Sequence, residues 1–447
     1  MIGVYSMKQL EKILLVLILG QGLLFGDDTV YTEGGLIHSK QKGRYALVHK
    51  LPEKAESFDT AFDYAKVFGT LRLANVGTYH EAFPKYSLKE QEQHTTAVGG
   101  IFGFETASFF GMHLHLGTYV SQKVTPLNST DKSQQNGELS NAEGNSYAYI
   151  GEVSLAYKSE KIQAEIGRIR QETPYTNSDD IRMSPNSFEG ASLQIKISPS
   201  WKMDTYILTR WAGTDSESVD TFNTFVDGGY GLSGGALTYT IDEENEFSVW
   251  YYNIDKESDI VYAEMTGDVR FNPAFHMEWG VQGSHIMERS GSKVDGDVLG
   301  AMMIADLGYF YTGLSVNYVF EEDNNTITDG FGGGPYYTSL DEQTIGAVSA
   351  LTPGDDLFVY RIALGVDFGK MGVTGVNLEV VHGHFLVQNS TVDAKENDLV
   401  LTYEVTKRWY FETIYSDVSL DNIEDTTANP QETFSFQRLV TRLDYKF

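Results

Sequence analysis

The stretch Met112-His113-Leu114-His115-Leu116-Gly117-Thr118-Tyr119-Val120 decides the fold class. Met112, Leu114, Leu116 and Val120 share one face, and His113, His115, Gly117 and Tyr119 share the other. Side chains of a strand point alternately to its two faces, so this is a strand with one greasy and one polar side. The device recurs. Tyr147, Tyr149, Val153, Leu155 and Tyr157 are set against Glu152, Ser154 and Lys158, and Ile362, Leu364, Val366 and Phe368 against Arg361, Gly365 and Asp367. A soluble sandwich would alternate too. Three further signs favour a transmembrane barrel. Aromatics fall at strand ends, as at Tyr147, Tyr157, Trp211, Phe368 and Tyr415, where girdles would lie. Long polar loops alternate strictly with tight turns, and the chain closes on a strand ending in Phe447.

Short turns near 107–111, 158–161, 198–201, 242–245, 270–274, 306–308, 369–373 and 406–408 each join two strands. With a first strand over 66–77 and a last over 435–447, the count is eighteen, an even number as single-chain outer-membrane barrels require. The weakest strands are 259–269 and 298–305. The intervening polar loops are expected to face outward, the longest being 121–146 and 321–357. The expected class is therefore all-β: an antiparallel transmembrane β-barrel over residues 66–447 in the Gram-negative outer membrane.

Upstream, Lys8 and Lys12 precede the apolar run Ile13–Leu19, and small or apolar residues continue to Gly26. Residues 1–26 therefore read as a secretory signal peptide, with Met7 as an alternative start. A membrane helix would need roughly 20 apolar residues, and no later window holds 18 in a row. Residues 27–65 do not fit the strand pattern and read as an N-terminal periplasmic extension, with a plug-like segment as the alternative. With no cysteine, the chain has neither disulfides nor thiolate metal sites. A net charge of −29 argues against nucleic acid, which needs a basic footprint. The partners expected are outer-membrane lipid and lipopolysaccharide, and the barrel-assembly machinery through the terminal Phe447.

Two loops carry a resemblance. Gly167-Arg168, Thr173-Pro174-Tyr175, Asn177-Ser178-Asp179-Asp180, Arg182, Pro185 and Phe188-Glu189-Gly190 resemble the third, inward-folded loop of the OprD-type substrate-specific porins. In the seventh loop, Gly330-Phe331-Gly332-Gly333-Gly334-Pro335-Tyr336-Tyr337-Thr338-Ser339 is similar to that family's Gly-Pro-aromatic-aromatic-Thr-Ser segment. Gly372-Val373-Thr374-Gly375-Val376 is a weaker echo, departing at Thr374. The resemblance implies an eighteen-stranded barrel narrowed by its third and seventh loops, with a ladder of lumen cations guiding carboxylate-bearing solutes. The expected function is passive transport without covalent chemistry; an outer-membrane lipid hydrolase is a rival that no motif supports. Residues 27–65 and the acidic loops depart from the family's pattern.

Strand phase names the candidate ladder. Arg438, Arg442, Asp444 and Lys446 oppose the lipid-facing Leu439, Leu443, Tyr445 and Phe447. Arg72, Lys196, Arg210 and Arg361 are likewise placed inward. A charge on the lipid face near the midplane would cost about 2–4 kcal/mol, which constrains the phase of central residues. A guanidinium can bind a carboxylate through two parallel hydrogen bonds. The plainer alternative is that these cations only pair with lumen acids such as Glu105, Glu152, Glu379, Glu404 and Asp444. In the third loop Arg168, Arg170, Asp179, Asp180 and Arg182 are the constriction candidates, with Gly334, Pro335, Tyr336, Tyr337 and Ser339 in the seventh. Arg168 shares the parity of Ile162, Ala164 and Ile166, which points it at lipid unless a bulge intervenes.

Other motifs carry less. His113-x-His115 and His382-x-His384 lack a third ligand for zinc. Gly332-Gly333-Gly334 has no lysine or following helix, which excludes a phosphate loop. No cofactor is called for. The acids of 321–357, with no lysine or arginine among them, read as a solvated outer surface. A general or cation-preferring pore and a loop-occluded structural or adhesive barrel remain the alternatives.

Overall fold

In the computed structural model, described for residues 35–38, 45–48, 52–80, 90–272, 275–322, 324–388, 390, 392–421 and 433–447, eighteen antiparallel strands close into one barrel. In chain order they are β1 (Lys66–His80), β2 (Gln91–Glu105), β3 (Met112–Lys123), β4 (Tyr147–Lys158), β5 (Ile162–Ile169) and β6 (Ser187–Lys196). Then come β7 (Trp201–Ala212), β8 (Leu232–Thr240), β9 (Asn245–Ile254), β10 (Ser258–Asn272), β11 (Phe275–Glu288) and β12 (Gly296–Asp306). The last six are β13 (Phe310–Glu321), β14 (Leu357–Asp367), β15 (Val376–Val387), β16 (Asp393–Glu404), β17 (Trp409–Asp421) and β18 (Thr433–Lys446). β18 pairs with β1 from Phe436↔His80 to Lys446↔Thr70, so no edge is left open. The barrel strands run from Lys66 to Lys446, and the weak segments 259–269 and 298–305 are full strands. The signal-peptide segment lies outside the described residues.

All eight short turns lie at one end of the barrel. The opposite end does not carry long loops throughout: β9 and β10 are joined by Asp255, Lys256 and Glu257 alone. Strict alternation of long and short connections therefore fails there, with Lys256 taking the left-handed conformation (φ 66°) that so tight a turn needs.

The outer face is apolar in its middle and aromatic at the turn end. There Trp201 meets Tyr239 at 4.8 Å, Phe271 meets Phe275 at 4.7 Å, and Trp409 meets Tyr445 at 4.7 Å. Tyr147 and Trp211 are not in a girdle, contrary to expectation. Both are buried inside. The cause at Tyr147 is a bulge. The β3–β4 register skips Gly151, so alternation reverses and Tyr147 and Tyr149 turn inward beside Tyr119.

The long loops 124–146 (L2), 170–186 (L3) and 322–356 (L7) do not project outward. They fold into the lumen, where they meet wall residues of distant strands. Thr95 on β2 donates to the Asn136 carbonyl (2.8 Å), and Ser121 on β3 donates to that of Leu139 (2.6 Å). Leu139, Met183 and Val219 pack on Ala74, Val76 and Ala97, wall side chains small enough to leave room for them. On the other side of the lumen Tyr175, Trp211, Tyr252, Phe331, Tyr336 and Ile345 share an apolar core. The polar backbone of these loops is thus held by the wall rather than by bulk water.

Residues 53–63 join the barrel outside this plug. Ala55 N–H donates to Ser108 O (2.9 Å), Ser108 N–H to Glu53 O (3.0 Å) and Ala107 N–H to Ala61 O (3.0 Å). The segment, which includes the helix α1 (Phe58–Asp63), is strapped to the β2–β3 turn. Upstream, Gly35–His38 and Tyr45–Val48 form a separate two-stranded sheet.

Candidate functional site

L3 and L7 are tied to each other before either is tied to the wall. Asn177 N–H donates to Phe331 O (3.1 Å) and Phe331 N–H to Tyr175 O (2.8 Å), a short parallel bridge in the middle of the lumen. Gly333 N–H adds a bond to the Asn177 side chain (2.9 Å). The glycines on either side of Phe331 are needed. Gly330 sits at φ +78° with Tyr175 O 2.4 Å from where a Cβ would stand, and Gly332 sits at φ +127° against Asn177.

L7 then reaches the wall through its aromatics. Tyr336 and Tyr175 share a hydroxyl contact (2.9 Å), and Tyr175 contacts Ser284 of β11 (2.6 Å). Tyr337 donates to Glu264 of β10 (2.7 Å). With its amide turned to suit its neighbours, Gln282 donates to Pro335 O (2.8 Å) and accepts from Tyr337 N–H (3.1 Å). Gly334, at φ +73°, turns the chain toward them, and Ser339 N–H closes a turn on Tyr336 O (3.2 Å). Half-buried Asp329 accepts from Thr344 Oγ1 (2.6 Å) and Gly346 N–H (3.0 Å), and desolvation raises its pKa.

Where L2, L3 and L7 approach β1, β17 and β18, the charged groups converge. Arg72 grips Asp444 of the neighbouring strand in a fork, Nε–Oδ1 and Nη2–Oδ2 both at 2.7 Å. Its Nη1 reaches Asp180 of L3 at 2.7 Å. Arg442 donates to the Asp180 carbonyl (2.7 Å), and its Nε lies 2.8 Å from Glu412 of β17. Arg182 of L3 donates to Glu138 of L2 (2.6 Å) and lies 3.8 Å from Glu342 of L7. Arg438 of β18 is 1% exposed and meets three carboxylates at once: Glu138, Asp341 and Glu342. One wall arginine thereby pins two loops.

The acids respond differently. Burial pushes Glu138 up, but Arg182 and Arg438 outweigh it and hold the carboxyl below its usual range. Burial raises Glu342 to about 7 despite Arg438, with Glu138 and Asp341 adding to the rise. Asp179 is raised by burial and by neighbouring Asp215, and its φ of 37° bends L3 there. Behind them Glu396 accepts the backbone N–H of Glu342 (3.0 Å) and Gln343 (2.7 Å).

The ladder candidates do not form one group. Arg72, Arg438 and Arg442 line the converged site, with Arg182 and Asp180 from L3. Arg170, at the start of L3, stands apart from them, bonded to Glu152 of β4 through Nε (3.0 Å) and Nη2 (2.9 Å). It borders a cavity of about 520 Å³ that is also lined by Glu172, Gln194, Lys202, Asp204 and Tyr206. Arg361 faces inward and lies 3.5 Å from Glu379 of β15. Lys196 shares the face of Gln194 but lies at the turn end of β6, opposite Lys202 and away from the loops.

Arg210 is misplaced by the parity argument. The β6–β7 register passes from Glu189↔Arg210 to Gly190↔Leu208, and the bulged Thr209 reverses alternation. Trp211 turns inward beside Phe188 and Phe225, the three nearly parallel rings lying 6.2 Å from one another, and Arg210 turns outward. Arg168 does follow its parity to the outer face, paired in register with the exposed Val153. It bonds Glu189 (3.0 Å) and lies 4.2 Å from the Phe222 ring, so it belongs to the outer rim rather than to the constriction. Glu138, Asp341, Glu342 and Glu412 are the partners that pattern reading missed. Glu138 carries no local signal, because its counter-charges Arg182 and Arg438 are 44 and 300 residues away.

No family model matches the chain, and no curated protein matches it. Solved structures do. The outer membrane protein OpdK of Pseudomonas aeruginosa is similar at 14% identity with a TM-score of 0.68, covering 86% of this chain and 99% of that one. OpdQ of the same organism matches at 14% identity and a TM-score of 0.69, covering 87% and 99%. OccAB2 of Acinetobacter baumannii matches at 15% identity and 0.67, again covering 87% and 99%. The chain therefore has the fold of these outer-membrane proteins, an eighteen-stranded barrel, as the third- and seventh-loop strings implied.

Proposed function

We propose that this protein is an outer-membrane porin of the OprD type, a passive channel for small polar solutes in Gram-negative bacteria. The observation that carries this reading is the eyelet: three loops laid across a closed barrel, tied together and edged with charges of both signs. A closed barrel satisfies its backbone without water, which suits a bilayer, and charged rings in a narrow passage sort solutes. Nothing in the reading requires covalent chemistry. Liposome swelling tests it. Vesicles holding the purified barrel swell in isotonic glycine or a small sugar, whereas failure to swell would mean an occluded, structural barrel.

The eyelet's charge favours cations. Arg72, Arg182, Arg438 and Arg442 are balanced against Glu138, Asp180, Asp341, Glu342, Glu412 and Asp444, and three of the four arginines are nearly sealed from solvent. A second reading, a preference for carboxylate-bearing solutes, is favoured by the cavity beside Arg170. Its guanidinium spends Nε and Nη2 on Glu152 and is 30% exposed, and Lys202 stands in the same lining. OpdK is known in a structure with vanillate, a carboxylate of a size such a cavity would hold. Under this reading benzoate-type anions block single channels and Arg170→Gln weakens the block. Equal block in the variant would remove Arg170 from the account.

A further inference from the structure

The strap 53–63 lies outside the plug and outside the barrel wall, and the eyelet makes no use of it. Its helix α1 carries Phe58 and Phe62 one turn apart on one face, with Asp59 and Asp63 one turn apart on another. Ser57 and Thr60 close its first turn with a reciprocal capping box. Six residues cannot hold a helix alone in water. This one is fixed by the three backbone bonds to the β2–β3 turn and by Ala61, which is buried against that turn.

Its aromatic face continues a surface that already exists. Phe62 stacks on Phe104 with centroids 6.2 Å apart, and Phe58 meets Phe62 edge-on at 5.1 Å. Phe104 is on the outward face of β2, because Glu105 beside it points inward to His115. Two residues along the same face, Phe102 meets the terminal Phe447 at 6.1 Å, and Phe447 lies beside Tyr445. These rings belong to the turn-side aromatic girdle that includes Trp409 and Trp201. Phe58 is 61% exposed and Phe110, on the turn that holds the strap, is 80% exposed. Rings at the end of an apolar wall, with acids on the adjoining helix face, match the headgroup level of a bilayer.

We propose that α1 is a membrane-interface foot: Phe58 and Phe62 lie in the headgroup region of the periplasmic leaflet and widen the barrel's girdle sideways on the β1–β3 side. The occupant of this face is phospholipid. The proposal rests on the membrane reading above, and the test separates the two. The chain has no cysteine, so a single introduced thiol carries a unique fluorescent label. Three variants are compared in phosphatidylcholine vesicles: Phe58→Cys, Asp59→Cys and, on the outward wall of β14, Leu364→Cys. Labels at 58 and 364 are expected to be blue-shifted and quenched by acyl-chain spin labels to a similar fraction. The label at 59 is expected to be quenched by aqueous iodide instead. Iodide quenching at 58 as strong as at 59 would overturn the foot. Shielding at 58 from both quenchers would also overturn it, since another part of the chain would then cover the face. Loss of lipid quenching at 364 would overturn the membrane reading itself, and the foot with it.

Discussion

Removing the Arg438 side chain would leave Asp341 without its guanidinium and Glu138 and Glu342 with Arg182 alone, and taking one partner from a buried ion pair costs about 3–5 kcal/mol. The loops have an escape: L2 and L7 can leave the wall and hydrate their acids. Arg438→Ala is therefore expected to keep the barrel folded but raise its conductance and expose L7 to a protease specific for acidic residues. Unchanged conductance and protection would show that Arg438 does not hold the loops. Glu342 supplies a pH dependence. Its pKa is raised from 4.5 to about 7, so the native hub favours its protonated form. That contribution is complete below about pH 4.5 and is lost as pH rises through 7. Ionisation over the same interval adds a negative charge to the eyelet, so cation selectivity should grow between pH 5 and 8. Glu342→Gln should flatten that part of the profile, and an unaltered profile would assign it to another acid. The failures of the parity argument also belong to this scale. Arg72, Arg361, Arg438 and Arg442 point where a period of two puts them, while Arg210 does not, because one bulged residue reverses everything after it. Thr209 has no glycine or proline beside it to signal that bulge.

Strands and turns are legible because their information is local: two-residue periodicity and short polar breaks recur eighteen and eight times. The inward fold of L2 and L7 is not local. Their acidity suggests solvent; the family resemblance pointed L7 inward but gave no sign for L2, and the arginines of β18 and L3, remote in sequence, show where the charge goes. The bridge between L3 and L7 is the element on which the eyelet depends, and Gly330 is its weak point. In Gly330→Ala the new Cβ would stand 2.4 Å from Tyr175 O at a φ of +78°. Strain of that kind costs on the order of 1–3 kcal/mol. The Phe331 amide, bonded to Tyr175 O, should exchange its hydrogen faster in the variant while strand amides keep their protection. Equal exchange at Phe331 would mean that the two loops hold their places independently. The glycine-rich string around it was readable as a motif, but its role as a backbone-to-backbone tie was not.

At the scale of the whole molecule, a net charge of −29 gives little guidance to selectivity, because charge at the mouth and charge at the narrowest passage are different quantities. The geometry makes the passage acidic as well: of the arginines expected to form an open basic ladder, Arg438 is enclosed by carboxylates of L2 and L7, Arg72 by Asp180 of L3 and Asp444 of the wall, and Arg442 is held by Glu412 of the wall. That enclosure is the central claim, and single-channel reversal potential under a salt gradient tests it most directly. The account predicts discrete openings with a cation-selective reversal potential, shifting toward anions in the double variant Glu138→Gln, Glu342→Gln. An anion-selective wild-type channel, unmoved by that double substitution, would contradict it.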